Sequence, residues 1–128
     1  MTIDTSAIVA IFRKEPGWDV LLRKLLDAPS RSIGAPTLVE TVMVLTGNGR
    51  VDMQSVLAEW LQEHDVSVLP FGLRESTWAA HAFVAFGKGR HPAALNLGDC
   101  QTYGVARANG ETLLCKGDDF PRTDLTLA

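Results

Sequence analysis

Short apolar runs alternate along this chain with longer segments in which apolar residues recur at helical spacing. In the segment after Pro16, for example, large apolar residues repeat every three or four positions from Trp18 to Leu26. Runs typical of strands occupy residues 1–4, 31–35, 66–69 and 112–115, with 125–127 as a candidate edge strand. This alternation predicts an α/β fold with a mainly parallel sheet and helices on both of its faces.

Capping residues predict where several helices begin. The first helix is expected to be capped by Thr5 or Ser6, and the second to begin at Pro16 as a first-turn proline. Residues 73–86 are rich in alanine and predict a further helix. The last helix is expected to start at Asp99 and to stop at Asn109-Gly110.

The helix predicted over residues 36–47 differs from the others because it is apolar almost all round. Such a pattern is typical of a buried helix, and the Gly47-Asn48-Gly49 sequence after it predicts a loop. Glu40 lies in the middle of this apolar segment. Because burial of an ionised carboxylate is unfavourable, Glu40 needs either a structural salt bridge with an arginine or a bound cation.

Composition limits the class of protein. The chain has 128 residues with 46% hydrophobic content, which indicates one globular domain, and its net charge of −3 argues against a protein that coats nucleic acid. No apolar run is long enough to cross a membrane, and the first residues lack the pattern of a signal peptide. Cys100 and Cys115 have no metal-binding spacing and are expected to be free thiols, so we expect a cytoplasmic protein without membrane contact.

Acidic residues follow the predicted strands or open the predicted helices. Asp4 follows the first strand, Asp99 opens the last helix, and Asp118 and Asp119 follow the last strand. In parallel sheets these positions lie at the carboxyl edge, where α/β proteins bind ligands. Taken alone, Asp4 could instead be a turn residue and Asp99 a plain helix cap.

Together with Glu40, these acids suggest a cation site. Clustered carboxylates repel one another unless a hard cation binds, and an all-oxygen ligand set suits Mg²⁺ or Mn²⁺. Such sites usually perform phosphoryl chemistry. The basic segment with Lys88, Arg90 and His91 is either a solvated surface loop or an element that contacts phosphate beside the acids.

Four short motifs in this order resemble the PIN-domain family, and in particular the VapC-type toxins of bacterial toxin–antitoxin pairs. They are Ile3-Asp-Thr-Ser-Ala, Leu38-Val-Glu-Thr, Gly87-Lys-Gly-Arg-His-Pro-Ala-Ala-Leu-Asn-Leu-Gly-Asp-Cys and Lys116-Gly-Asp-Asp-Phe. The resemblance covers the whole chain and implies a single PIN domain over residues 1–128, folded as a three-layer α/β/α sandwich. It also implies a Mg²⁺-dependent (or Mn²⁺-dependent) endoribonuclease that cleaves RNA phosphodiesters by metal-activated water and acts as a toxin.

The resemblance also assigns residues by position. Asp4, Glu40 and Asp99 match the metal-binding acids of the family, and Asp119 matches the fourth acid, with Asp118 as the alternative. As the resemblance implies, cleavage would leave a 5′-phosphate and a 3′-hydroxyl. Four basic side chains are the candidate RNA contacts: Lys88, Arg90, His91 and Lys116.

The implied partners are RNA, a second copy of the chain and a cognate VapB-like antitoxin. The antitoxin would form a hetero-oligomer with the toxin, block the acids with an arginine of its C-terminal tail, and bring any contact with operator DNA. The first two helices, around Val9, Phe12, Trp18 and Leu22, are the candidate walls of its groove. Two other functions remain open: a non-catalytic PIN-like binding module, or a metal-dependent phosphatase. The latter would need a second aspartate where this chain has Ser6.

Overall fold

The computed structural model describes residues 1–47, 49 and 51–128, and within them the strands and helices alternate as predicted. The strand predicted over residues 66–69 and the helix predicted over residues 73–86 match the structure residue for residue. Asn48, the centre of the predicted glycine-flanked loop, lies outside the described residues. The elements are β1 (Thr2–Ile3), α1 (Thr5–Arg13), α2 (Trp18–Asp27), β2 (Arg31–Gly34), α3 (Ala35–Thr46), α4 (Met53–Glu63), β3 (Val66–Leu69), α5 (Leu73–Phe86), α6 (Leu97–Asn109), β4 (Leu113–Leu114) and a 3₁₀ helix (Phe120–Arg122).

The strands form one parallel sheet in the order β3-β2-β1-β4. Thr2 pairs with Ser32 on one side and with Leu113 on the other, so β1 is central. The candidate edge strand over 125–127 is reduced to a single bridge between Leu127 and Leu113. Because helices pack on both faces of this sheet, the chain is the predicted three-layer α/β/α sandwich.

Two apolar clusters hold the helices against the sheet. The first joins Ile3 and Ile33 of the central strands to Ile8, Leu25 and Leu57 of α1, α2 and α4. The second packs α5 and α6 against β4 and the C-terminal segment, with Tyr103 as its largest buried side chain. Parallel strands that are covered on both faces place the residues after each strand together at one edge of the sheet.

Three helix starts differ from those predicted. Asp4, not Thr5 or Ser6, caps α1, and α2 begins after Gly17 rather than at Pro16. Helix α6 begins at Leu97 with Asn96 as its cap, so Asp99 is its third residue. The side chains of Asp4 and Asn96 accept from first-turn amides of α1 and α6, whereas Gly17 offers α2 no side-chain cap.

The prediction that α3 is buried is wrong. Only Thr37 and Thr41 of this helix are buried, whereas the side chains of Val39 and Met43 are 59% and 69% exposed. The apolar pattern therefore marks a face that is free in the single chain. No helix in the described part of the chain combines the length and the apolar character that a membrane crossing requires.

Candidate active site

Asp4 lies at the carboxyl end of β1 and is nearly buried, with 5% of its surface exposed. Its Oδ2 accepts hydrogen bonds from the backbone amide of Ser6 at 2.9 Å and from the Ser6 hydroxyl at 2.5 Å. The first bond makes Asp4 the N-cap of α1. The carboxylate is therefore held at the sheet edge by the helix that follows it.

Ser6 joins this carboxylate to a second loop. Its hydroxyl oxygen accepts a hydrogen bond from the backbone amide of Lys116, 2.9 Å away. The ammonium of Lys116 pairs with Glu15 at 2.6 Å, and both side chains are about one third exposed. These two contacts attach the segment before Asp118 and Asp119 to α1 and to the loop that follows it. The sequence did not predict that Ser6 would link Asp4 to Lys116. The only indication in the sequence was the position of Ser6, two residues after Asp4.

Glu40 extends from α3 towards α1. Its Oε2 accepts a hydrogen bond from the hydroxyl of Thr5 at 2.6 Å, and Thr5 is itself buried and within 3.1 Å of the Thr41 hydroxyl. The partner that the structure gives to Glu40 is thus a neutral hydroxyl. Because a hydroxyl leaves the negative charge in place, Glu40 stays available to a cation.

The Glu40 carboxylate also lies against the first turn of α6. A Cβ built on Gly98 would lie 2.9 Å from the Cδ of Glu40 and closer still to its Oε1. The two groups are far apart in the chain, and their proximity was not predicted from the sequence. It places Glu40 beside the residue that precedes Asp99.

Asp99 belongs to a reciprocal capping arrangement at the start of α6. Its Oδ2 accepts from the backbone amide of Asn96 at 3.0 Å, while its own amide donates to the Asn96 side chain at 2.9 Å. Burial raises the pKa of Asp99 to about 6, the Asn96 amide opposes this shift, and the charges of Asp4, Asp119 and Glu40 reinforce it. Asp99 is therefore part of a helix cap and is also subject to the charges of three other acids.

Asp118 and Asp119 are exposed in the segment after β4, and Asp119 immediately precedes the 3₁₀ helix. Of the two, it is Asp119 whose charge raises the pKa of Asp99. Asp119 acts in the same direction on Cys115, whose pKa is raised to about 12, chiefly by burial. Cys100 and Cys115 are free thiols, as predicted.

The charges of Asp4, Glu40 and Asp119 act on Asp99, but these four carboxylates do not form a preassembled metal site. Among residues 1–47, 49 and 51–128, no three His, Cys, Asp or Glu side chains are grouped tightly enough to share one metal ion. The donor set nevertheless fits a hard divalent cation, because it is all oxygen and its mutual repulsion falls when positive charge is bound. Ligation by three of these acids requires a side-chain movement towards the cation.

The basic side chains predicted to contact RNA differ in how far other residues already engage them. Lys88 and Arg90 are exposed, and the guanidinium of Arg90 lies 5.4 Å from the centre of the Phe83 ring. The Nδ1 atom of His91 accepts from the backbone amide of Ala93 at 3.1 Å, so this imidazole supports its own loop. A largely apolar cleft of about 470 Å³ lies beside the first turn of α6, with Phe83 and Lys88 in its lining.

The fold and this edge define a parallel α/β/α protein whose carboxylates gather where the strands end. The profile of the PIN domain matches residues 1–125, and the chain belongs to the PIN-domain family.

Related proteins align with nearly the whole chain. It is 39% identical to Ribonuclease VapC36 of Mycobacterium tuberculosis over 126 residues, which cover 98% of this chain and 91% of that protein. It is 36% identical to Ribonuclease VapC of Mycolicibacterium smegmatis, with 98% and 97% covered. The fold is similar to the crystal structure of Mycobacterium tuberculosis VapC20, a toxin that cleaves the sarcin–ricin loop. The TM-score is 0.78 at 16% identity, with 99% of this chain and 97% of that chain covered.

Proposed function

We propose that this protein is an endoribonuclease that depends on Mg²⁺ or Mn²⁺ and acts as the toxin of a toxin–antitoxin pair. The observation that carries the proposal is the gathering of Asp4, Glu40, Asp99 and Asp119 at the carboxyl edge of the sheet, where Glu40 lies against the first turn of α6. Burial is the main cause of the raised pKa of Asp99, and the charges of the other three acids add to it. Its relatives are named VapC ribonucleases, and ribonucleases of this kind generally depend on a divalent metal. The acids at the sheet edge supply the matching chemistry.

Each acid has a proposed role. Asp4 and Asp99 would hold the main cation, Glu40 would ligate or orient water at it, and Asp119 would support a second cation or position the attacking water. When bound, a divalent cation supplies positive charge beside the scissile phosphate and lowers the pKa of water. The chain's own part is orientation: Ser6 holds Asp4, Thr5 holds Glu40, and the Asn96 amide holds Asp99.

The RNA path would run from the acids across the start of α6. Lys88 and Arg90 are exposed there, and their charges would contact phosphates. Phe83 is 45% exposed in the adjoining cleft and offers a surface on which a base could stack. Lys116 would contribute less than the other candidates, because Glu15 already neutralises its ammonium.

The proposed protein partners are a VapB-like antitoxin and a second copy of the chain. Of the side chains predicted to line a groove for the antitoxin tail, Val9 is buried and Phe12 packs against Trp60. A groove of about 620 Å³ between α3, α4 and β3 instead exposes apolar side chains, including those of Met43 and Val68. We place the apolar part of a partner there, with its arginine directed at the acids.

Cleavage of RNA by the purified protein tests this function. We expect cleavage with Mg²⁺ or Mn²⁺, none in excess chelator, and recovery when the metal is restored. The products should carry a 5′-phosphate. RNA binding without cleavage under all metal conditions would identify a non-catalytic binding module instead. Asp119→Asn and Asp118→Asn form a matched pair, of which only the first should lower the rate strongly.

A further inference from the structure

The Glu40 carboxylate lies close to groups from two other helices. The Thr5 hydroxyl of α1 donates to its Oε2 at 2.6 Å. At Gly98 of α6, a Cβ would stand 2.9 Å from the Cδ and 3.1 Å from the same Oε2 of Glu40, and closer still to Oε1. Real side chains do not tolerate such separations. The carboxylate can therefore occupy its position only because residue 98 has no side chain.

The backbone conformation at residue 98 does not require a glycine. Gly98 lies within the first turn of α6, and its φ is not in the left-handed region. In a helix interior, glycine is less favourable than alanine by about 1 kcal/mol. The local structure therefore prefers alanine at this position. The contact with Glu40 is the feature that opposes it.

Gly104 in the same helix is a glycine that is required for close packing of two helices, and it serves as a comparison for Gly98. A Cβ there would meet the backbone carbonyl of Glu75 and lie 3.1 Å from both the Cβ and the backbone nitrogen of Ala79. These atoms belong to the body of α5 and cannot rotate away. At Gly98 the obstructing atoms are the end of a flexible side chain, which can move. The same substitution should thus damage the fold at Gly104 and displace only a carboxylate at Gly98.

We propose that Gly98 is a positioning residue for Glu40. By omitting a side chain, it lets the Glu40 carboxylate lie beside the start of α6, next to Asp99. Alanine at this position would push the carboxylate out of the hydrogen bond with Thr5 and away from the other acids. This inference rests on the proposed function, because its consequence is a weaker cation site.

The test compares Gly98→Ala with Gly104→Ala and the unaltered protein. Without metal, Gly98→Ala should unfold at the same temperature as the unaltered protein or a higher one, whereas Gly104→Ala should unfold at a lower temperature. Binding of Mn²⁺, measured by calorimetry, should weaken about tenfold or more in Gly98→Ala, as for other groups that orient a metal ligand. The Mg²⁺ concentration that gives half-maximal RNA cleavage should rise by a similar factor.

A second background shows whether the effect passes through Glu40. Glu40→Asp shortens the side chain and removes the carboxylate from the neighbourhood of residue 98. If Gly98 acts by positioning Glu40, Gly98→Ala should change Mn²⁺ affinity less than about twofold in this background, since interacting sites are non-additive. An equal loss in both backgrounds would overturn the inference.

The two proposals fail in distinguishable ways. If the unaltered protein binds Mn²⁺ and cleaves RNA, and Gly98→Ala does both equally well, the role of Gly98 is refuted while the function stands. If the unaltered protein neither binds Mn²⁺ nor cleaves RNA, the proposed function itself fails, and the role of Gly98 fails with it.

Discussion

Two carboxylates at opposite ends of the sheet have opposite electrostatic surroundings. Glu111, just before β4, accepts hydrogen bonds from the Ser32 hydroxyl and from the Thr2 hydroxyl, the latter at 2.6 Å. Burial opposes its ionisation, but these bonds together with the N-terminal ammonium, 3.5 Å away, outweigh burial and hold the pKa of Glu111 below its usual value. At the carboxyl edge, burial and three further acids raise the pKa of Asp99 to about 6.

The difference separates a structural acid from one that needs an external partner. Groups of the chain itself donate hydrogen bonds to the ionised Glu111 carboxylate, so its negative charge stabilises the fold. Asp99 has one strong compensating contact, with the Asn96 amide, and its charge opposes the charges of Asp4 and Glu40. Removal of charge should therefore have opposite effects on stability at the two ends.

The largest effect is expected from Asp99→Asn. Mutation of residues that only orient a metal ligand typically lowers activity by about 10–100-fold. Loss of a proposed ligand should therefore lower RNA cleavage by about 100-fold or more. Asn retains the shape and removes a charge that the folded state disfavours, so the metal-free protein should unfold at a higher temperature. Thermal unfolding and a cleavage assay on one preparation check both expectations. A variant that cleaves normally would reduce Asp99 to a helix cap.

Removal of the cation is expected to have the next largest effect. A ligand present at 100 times its dissociation constant stabilises the folded state by about 2.7 kcal/mol. The unaltered protein should therefore lose about this much stability in chelator, whereas Asp99→Asn should lose little. Calorimetric unfolding with and without Mg²⁺ measures the difference. An equal response of the two proteins would place the cation elsewhere.

Glu111→Gln should do the reverse of Asp99→Asn. It leaves the hydroxyls of Thr2 and Ser32 with a weaker acceptor, and we expect a loss of about 1–3 kcal/mol in the free energy of unfolding at pH 7. RNA cleavage by the folded variant should be unchanged. Denaturant unfolding gives the free energy, and a stability gain would contradict the comparison.

The pH dependence of this loss follows from the lowered pKa of Glu111. Its stabilisation is complete above the pKa of the unfolded chain, near 4.3, and disappears as the pH falls through the lower pKa of the folded state. The difference between Glu111→Gln and the unaltered protein should thus be largest near neutral pH and shrink below about pH 4. Unfolding curves at pH 7 and pH 3.5 measure it.

The smallest effect is expected from Thr5→Val. The substitution removes the hydroxyl that donates to Glu40 and lies near Thr41, at a cost of about 1 kcal/mol in stability. Cleavage should fall several-fold, because Glu40 loses the hydrogen bond that orients its carboxylate. Thr5→Ser keeps the hydroxyl and serves as the matched control. A similar rate for Val and Ser would show that the hydrogen bond is not needed.

Local pattern predicted much of this architecture but not its exposed faces. The alternation of strands and helices is set by short-range periodicity, which is why β3 and α5 were predicted residue for residue. Helix α3 was misread because apolar residues serve a core and a partner surface equally well. Val39 and Met43 have no feature in the sequence that distinguishes the two.

The acids of the site were predictable from the ends of the strands and, for Glu40, from a carboxylate within an apolar segment. The rule that parallel strands end together predicts Asp4 near the pair Asp118 and Asp119, and only the family resemblance favours Asp119 over Asp118. The charges of Asp4 and Asp119 both act on Asp99. The partners that orient these acids were not predicted. The Thr5–Glu40 bond and the contact of Gly98 with Glu40 join residues 35 and 58 positions apart, and such pairs depend on three-dimensional packing.

The cap that Asp4 makes on α1 matters for genetic selection of inactive alleles. If survivors of toxin expression were sequenced, substitutions of Asp4 would be recovered for two separate reasons. Alanine would remove both the charge and the hydrogen bonds with Ser6, so such an allele could escape through poor folding as well as through lost chemistry. Asparagine keeps the cap, so an Asp4→Asn survivor with normal cellular abundance would be the informative allele.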